Sequence, residues 1–310
     1  MKSKIPKANR RGKALKMALK FTGLCLAAAV FALLLETRVS AVSFNLGTAG
    51  LGSPYNWAVL SIGDASTVDI DNTSITGGSG VNGNFGLSSK NSLTMSGSSF
   101  IDGTLYQGNT ATYSLSGSAS ISSVLPSQDT VLNQATSDAL AAAANAAGLG
   151  GTPGSITSAG LNSFTPGVYS LSSLSLSSGG ELQLNGAGTY IFNISGSMSL
   201  SGSALVSLIN GANAANVLFN ITGTSPVSMT GDSVVRGIIL APNADITIDG
   251  GLSDTPPVGL FGEAIGGENI TIQSGSQVQG LPNVPDGGAT AILLGLACGA
   301  VAFARRKLRV

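Results

Sequence analysis

The run Ile191, Phe192, Asn193, Ile194, Ser195, Gly196 returns 27 residues later as Leu218, Phe219, Asn220, Ile221, Thr222, Gly223, and the Met198, Leu200 pair that follows it returns as Val227, Met229. Ile246, Thr247, Ile248 recurs 24 residues on as Ile270, Thr271, Ile272. Around Met198 and Leu200, Val227 and Met229, Ile246 and Ile248, and Ile270 and Ile272 apolar and polar residues alternate, which is the period of a strand with one buried and one wet face. Imperfect repeats of this length mean stacked coils, none of which buries its apolar side alone. The sequence therefore predicts a mainly β chain wound as a β-solenoid over residues 42–282. Its 43 Gly and 5% aromatics suit that shape, because glycine takes tight corners and small residues let a narrow interior close. At about 25 residues per coil, roughly nine coils would stack over about 40 Å.

One segment departs from this alternation. Between Pro126 and Gly148 an apolar stripe of Val131, Ala135, Ala139, Ala142 and Ala146 predicts one amphipathic helix over about 127–148, with Ser127 or Asp129 as N-cap and Gly148 as its stop. The alanine face is shallow, so the helix is expected to lie closely along one side of the solenoid.

The ends carry charge that the neutral total conceals. Eight basic residues from Lys2 to Lys20 lead into the apolar run Phe21 to Leu35 and the small triplet Val39, Ser40, Ala41. This is the layout of a secretory signal helix over 1–41, cleaved between Ala41 and Val42. At the other end Val284, Pro285, Asp286, Gly287 and Gly288 precede an uncharged stretch, 289–304, followed by Arg305, Arg306, Lys307 and Arg309. Basic residues after an apolar segment stay cytoplasmic, so the body is expected outside, with 289–304 as a transmembrane helix. The stretch reaches about 24 Å, short against a ~30 Å hydrocarbon core, which suits a temporary hold on the inner membrane.

Between these ends the body has two basic residues, Lys90 and Arg236, against thirteen acids, a net charge of −11. Such a body cannot displace counterions from phosphate, so no nucleic acid is expected as partner. The chain has no His, and its two Cys, Cys25 and Cys298, fall in the terminal segments. His-dependent nucleophilic catalysis and His-bound zinc are thereby excluded, and the body must be stable without disulfides. No catalytic residue, metal ligand or cofactor is assigned. Asp69 with Asp71, the cluster Asn243, Asp245 and Asp249, and the glycine-rich 77–82 are candidate calcium positions, and a β-helical polysaccharide-degrading enzyme is a further alternative. Arg236 is expected to pair with an acid, Trp57 to sit in the core, and the Asn-x-Ser/Thr triplets at Asn72, Asn193, Asn220 and Asn269 to be incidental.

Two resemblances add to this reading. The order of motif, apolar helix and basic tail over 284–310 resembles the C-terminal sorting signals read by exosortases, in the VPDSG variant, with Gly287 where serine is usual. That resemblance implies passage through the secretion machinery, cutting of the tail near the motif, and delivery to the cell envelope, cell surface or extracellular space. The body, through Leu46 to Ala49, Trp57 to Leu60, Pro166 to Tyr169, Gly188 to Phe192, Leu208 to Ala212, Asn216 to Phe219 and Gly237 to Ala241, resembles the bacterial ice-binding-protein-like family. Ile239 to Ala244, with Tyr55, Asn56, Gly63 and Asp64, is also similar to the adhesin-like domains called choice-of-anchor A. The resemblance implies a right-handed β-solenoid with a long helix alongside, non-enzymatic, acting on ice or on a matrix polysaccharide or protein surface. If the apolar members of the repeats point inward, Ser199, Ser228, Thr247 and Thr271 point outward in one rank, the candidate binding row.

Overall fold

The computed structural model describes residues 44–49, 55–72, 78–250 and 258–280. The expected signal helix with Ala41 and Val42, the motif Val284 to Gly288 and the apolar stretch 289–304 all lie outside the described residues. Among the described residues no helix is long and apolar enough to cross a membrane.

The alternation read in the sequence is realised as strand faces. Met198, Leu200, Val227, Met229, Ile246, Ile248, Ile270 and Ile272 all point inward and are fully buried. The repeats meet residue for residue: Ile191 to Ile194 lies beside Leu218 to Ile221, and Ile246 to Ile248 beside Ile270 to Ile272. The pairs are parallel, as stacked coils require, and the whole is a mainly β, parallel β-helix-like fold with one long helix. Each coil passes through three walls in turn. One is an eight-stranded sheet open to solvent, the second carries the helix on its outside, and the third closes the coil. Inside, Tyr169, Phe192 and Phe219 from successive coils stack with centroids 5.4 Å apart, a direct result of register. Removing a ring such as Phe192 from this column would cost about 3–5 kcal/mol.

The covered and third walls are less separate than a plain three-walled column. Phe100–Gln107, Val235–Ala241 and Val258–Gly266 each run unbroken around the corner between them. As a result Trp57–Ser61, Asn84–Leu87, Phe100–Gln107, Gly80–Asn82, Gln277–Gln279 and Val258–Gly266 close on one another in a six-strand ring of pairings, barrel-like in its connectivity. Glycine makes that corner possible. Gly237 and Gly262 stack there at φ 146° and 154°, and a Cβ on Gly262 would stand 1.8 Å from the Gly237 carbonyl oxygen.

Helix α1 spans Asp129–Gly148. Its buried stripe is Leu132, Ala135, Ala139, Ala142 and Ala146; Val131, assigned to the stripe from sequence, is only partly buried. The stripe packs on Trp57, Leu60, Ile191, Leu218, Ile238, Leu240 and Ile265, the outward residues of the covered wall, forming a second apolar core. Those strands are therefore buried on both faces, as in Tyr190–Ile194 and Val217–Ile221. Neither Ser127 nor Asp129 caps the helix: Gln128 is the N-cap residue, and the Asp129 carboxylate instead accepts from Ser89 Oγ at 2.6 Å and Asn109 N–H at 2.9 Å. Gly148 is still helical; the left-handed turn that follows is at Gly150, φ 66°. The carbonyls near the C-terminus are met by the wall itself. Asn193 Nδ2 donates to Ala146 O at 2.8 Å, and Asn220 Nδ2 to Ala143 O at 3.0 Å and to Asn193 Oδ1 at 2.8 Å.

The coils are not stacked in the order of the chain. On the open wall Thr67–Asn72, Ser92–Gly97 and Thr112–Leu115 run to one end of the stack. After α1, about 30 Å long and so about as long as the stack, the chain resumes at the other end with Leu174–Leu176. It then winds back through Met198–Leu200, Val227–Gly231 and Ile246–Gly250 to Ile270–Gln273, which pairs with Thr67–Asn72. First and last coils thus meet in the interior of the stack. Ser66 Oγ bonds Gly267 O at 2.8 Å, the Thr67 N–H bonds Asn269 Oδ1 at 3.0 Å, and Asn82 Nδ2 bonds Gln277 Oε1 at 2.9 Å across this seam.

Candidate functional site

Every strand of the open wall carries the same three-residue phrase, an outward residue between two inward apolar ones. Leu174-Ser175-Leu176, Met198-Ser199-Leu200, Val227-Ser228-Met229, Ile246-Thr247-Ile248 and Ile270-Thr271-Ile272 come from one half of the chain; Val68-Asp69-Ile70, Leu93-Thr94-Met95 and Tyr113-Ser114-Leu115 come from the other. Pairing aligns the middle residues into one row across eight strands, Ser175, Ser199, Ser228, Thr247, Thr271, Asp69, Thr94, Ser114. The four residues expected from sequence are consecutive in it. The other four were missed, although the apolar-polar-apolar triplet was there to be read.

The row is held by what lies beneath and beside it. Beneath, the flanking residues are buried except in the outermost strand, where Tyr113 and Leu115 are 42% and 43% exposed because no coil lies beyond. Parallel pairing sets neighbours about 4.8 Å apart. Beside the row, at the corner with the covered wall, Asp245 Oδ1 accepts from both the N–H and the Nδ2 of Asn269 at 3.1 Å, and Asn91 Oδ1 accepts from the Ser66 N–H at 3.0 Å. On the other side Thr230, Asp249 and Gln273 align, as do Asp71 and Ser96, with Ser96 Oγ donating to Asp71. Of the acids considered for calcium, Asp71 and Asp245 accept local hydrogen bonds, and among the described residues no group of three or more His, Cys, Asp or Glu is placed to hold a metal. Asp69 is the one charge within the row. Partial burial, and secondarily the charge of Asp71, raise its pKa above the ordinary carboxylate value.

The remaining candidates fall elsewhere. Among the described residues Arg236 forms no ion pair with an acid, contrary to expectation. Its Nη1 donates to Val206 O at 3.0 Å and its guanidinium sits 5.3 Å from the Phe261 ring centroid, on the third wall; burial lowers its pKa. Trp57 is fully buried under α1, stacked on Tyr55 at 5.3 Å and edge-on to Tyr106 at 4.8 Å. Asn193 and Asn220 are buried against α1, where no sugar could be attached.

Comparison with known proteins places this geometry. The profile of the Ice-binding-like family matches residues 66–273, and that of the VPDSG-CTERM motif matches 283–308. No curated protein matches by sequence. Among solved structures, an ice-binding protein from the Antarctic ascomycete Antarctomyces psychrotrophicus is 19% identical with a TM-score of 0.52, covering 78% of this chain and 100% of that one. An ice-binding protein from an Antarctic Flavobacteriaceae bacterium is 22% identical with a TM-score of 0.54 over 77% of this chain and 47% of that one. One from an Antarctic biological consortium is 21% identical with a TM-score of 0.52 over 78% and 93% of the two chains. At these identities the likeness is one of fold.

Proposed function

This chain belongs to the Ice-binding-like family, and from that premise we propose that it is an exported, non-enzymatic protein that adsorbs to ice through the open wall. The observation that carries the reading is the in-register row of outward residues, seven of them hydroxyl-bearing, on an eight-stranded wall that no helix covers among the described residues. Adsorption to a crystal sums many weak contacts, and it needs them presented at a fixed repeat by a surface that does not reorganise. Backbone pairing supplies the repeat, and the buried flanking residues supply the rigidity. The structural relatives are ice-binding proteins, which supports the same reading.

Replacing Thr247 and Thr271 together by lysine puts two long charged side chains at the centre of the row while leaving the inward residues intact. Inhibition of ice recrystallisation by the purified protein is expected to be abolished, with the circular dichroism spectrum unchanged. Full inhibition by a folded double variant would remove the row from consideration. A second reading, adhesion to a matrix polysaccharide or protein, is favoured by the acids beside the row, Asp71, Asp245 and Asp249. Absence of ice activity in the unmodified protein would select it.

Export is supported by the basic-then-apolar N-terminus and by the tail match; in this reading an exosortase is the processing partner and the inner membrane a temporary station. Deleting Val284 to Gly288 is expected to retain the protein in the membrane fraction; normal delivery would refute the sorting role.

A further inference from the structure

The two ends of the stack are finished differently. At one, Thr152–Pro153 and Leu161–Phe164 are the outermost strands of the covered and third walls, and Phe164 and Ile156, the latter from the segment joining them, pack into the core. Asn162 ties that segment down: its Oδ1 accepts from the Thr157 N–H at 2.7 Å, and its Nδ2 donates to Thr157 O at 2.9 Å and to Gly160 O at 3.2 Å. Pro153 also withholds a backbone donor from the edge. The other end has no such cover among the described residues. Its last coil is Thr112–Leu115 on the open wall and Ser120–Leu125, which follows Phe100–Gln107 around the corner of the other two walls. Each of these strands is paired on one side only. No residue of 112–125 is buried, and Tyr113, Leu115 and Leu125 are three of the six exposed large apolar side chains among the described residues. The chain then turns back along the stack, the Gln128 N–H bonding Gln107 O of the coil behind at 3.0 Å.

This edge lacks the devices that keep edges apart. From Gly103 to Gln128 the chain has no Asp, Glu, Lys or Arg, and neither strand contains Pro, in a body of net charge −11. A second copy is repelled by the rest of that body but not by this end. The end also matches itself. A two-fold axis through Ser114 and the opposite corner turns the open wall onto itself and exchanges the other two walls, so that Thr112–Leu115 meets its copy antiparallel and Ser120–Leu125 does the same. Tyr113 then faces the partner's Leu115, inward residue against inward residue, and Ile121 comes against the partner's Val124. The coil 112–125, at about 3.3 Å per residue and backed by a layer about 10 Å thick, would bury about 900 Å² over both copies, close to the ~1,000 Å² at which specific interfaces begin.

We propose that this end binds a second copy of the chain, the two coils 112–125 pairing edge to edge about a two-fold axis, so that two rows of outward residues join at Ser114 into one of twice the length, about 70 Å. The pairing rests on the end coil alone. Its benefit rests on the ice-adsorption reading given above, in which contacts sum along the row.

The test is cross-linking of the purified full chain in a Cys25→Ser, Cys298→Ser background. Ser114→Cys puts one thiol of each copy at the axis, at a Cα separation of about 5 Å that a disulfide spans. Oxidised glutathione is expected to convert most of this variant to a covalent dimer, while Ser175→Cys, in the same row at the opposite end, stays monomeric. Adding Leu115→Glu sets a carboxylate beside the axis and is expected to lower the Ser114→Cys dimer yield roughly ten-fold, with the circular dichroism spectrum unchanged. Sedimentation of the parent is expected to pass from monomer to dimer between about 1 μM and about 1 mM. Equal cross-linking at both ends, a Ser114→Cys thiol that stays unpaired, or a parent still monomeric at the upper concentration would overturn the proposal. Leu115→Glu with Ser114 intact is expected to need several-fold more protein than the parent for half-inhibition of ice recrystallisation; unchanged potency once the dimer is lost would overturn the lengthened row. Because cross-linking needs no ice, failure of the adsorption reading and failure of the pairing are separate results.

Discussion

Asp69 interrupts a row of hydroxyls with a carboxylate whose pKa is raised first by partial burial and then by Asp71. An acid with a raised folded-state pKa holds its proton more tightly in the folded protein than in the unfolded chain. Its contribution therefore improves as pH falls through the raised value toward the ordinary ~3.9, and is unfavourable above that window. Asp69→Asn is expected to unfold at a higher temperature than the parent near pH 7, with the gap narrowing near pH 4. A gap that widens on acidification would contradict this. Asp69→Thr removes the same charge and completes the hydroxyl row, so recrystallisation inhibition is expected to strengthen. At the corner of the other two walls, Gly262→Ala would drive a methyl into the Gly237 carbonyl at a φ that alanine rarely adopts. A loss of about 3 kcal/mol or more is expected by chemical denaturation. That glycine was visible in the sequence only as one of 43, because a close backbone approach leaves no trace in local pattern.

Strands and helix differ in how much of them could be read beforehand. The open wall was legible because its inward residues alternate with serine and threonine, and the two echoes proved to be coils in direct register. The triplets around Ser175, Asp69, Thr94 and Ser114 obey the same rule at similar steps, Ser175 lying 24 residues before Ser199 just as Thr247 lies 24 before Thr271, but their flanking residues do not repeat one another, so a comparison of like residues passes over them. Helix α1 was legible from its alanines; what seats it was not. Asn193 and Asn220 look from sequence like strand residues of the wet face or sugar acceptors, yet they are the donors that satisfy Ala146 O and Ala143 O. Asn220→Ala leaves the buried Asn193 Oδ1 without its donor and is expected to cost about 1–3 kcal/mol, read as a lower melting temperature. An unchanged melting temperature would mean that another donor reaches that oxygen.

For the molecule as a whole, the repeats specify coils but not the order in which coils are piled. Ile270–Gln273 stacks equally well, by its own alternation, on any neighbour with the same phrase; its partner Thr67–Asn72 is fixed only once α1 has carried the chain to the far end. That long-range choice is made by α1 covering one wall and by the cross-seam bonds of Ser66, Thr67 and Asn82, none of which has a local signature. Such pairing between distant segments folds slowly compared with local contacts. It also sets a schedule for a chain threaded outward from its N-terminus. Until residues 258–280 arrive, the early coils and the late coils are two blocks with bare parallel edges facing each other, and the piece that joins them is the last to emerge before the tail. The keystone is thus delivered only a few residues ahead of the VPDSG-type tail, so a chain halted just short of it would be left with its arch unclosed.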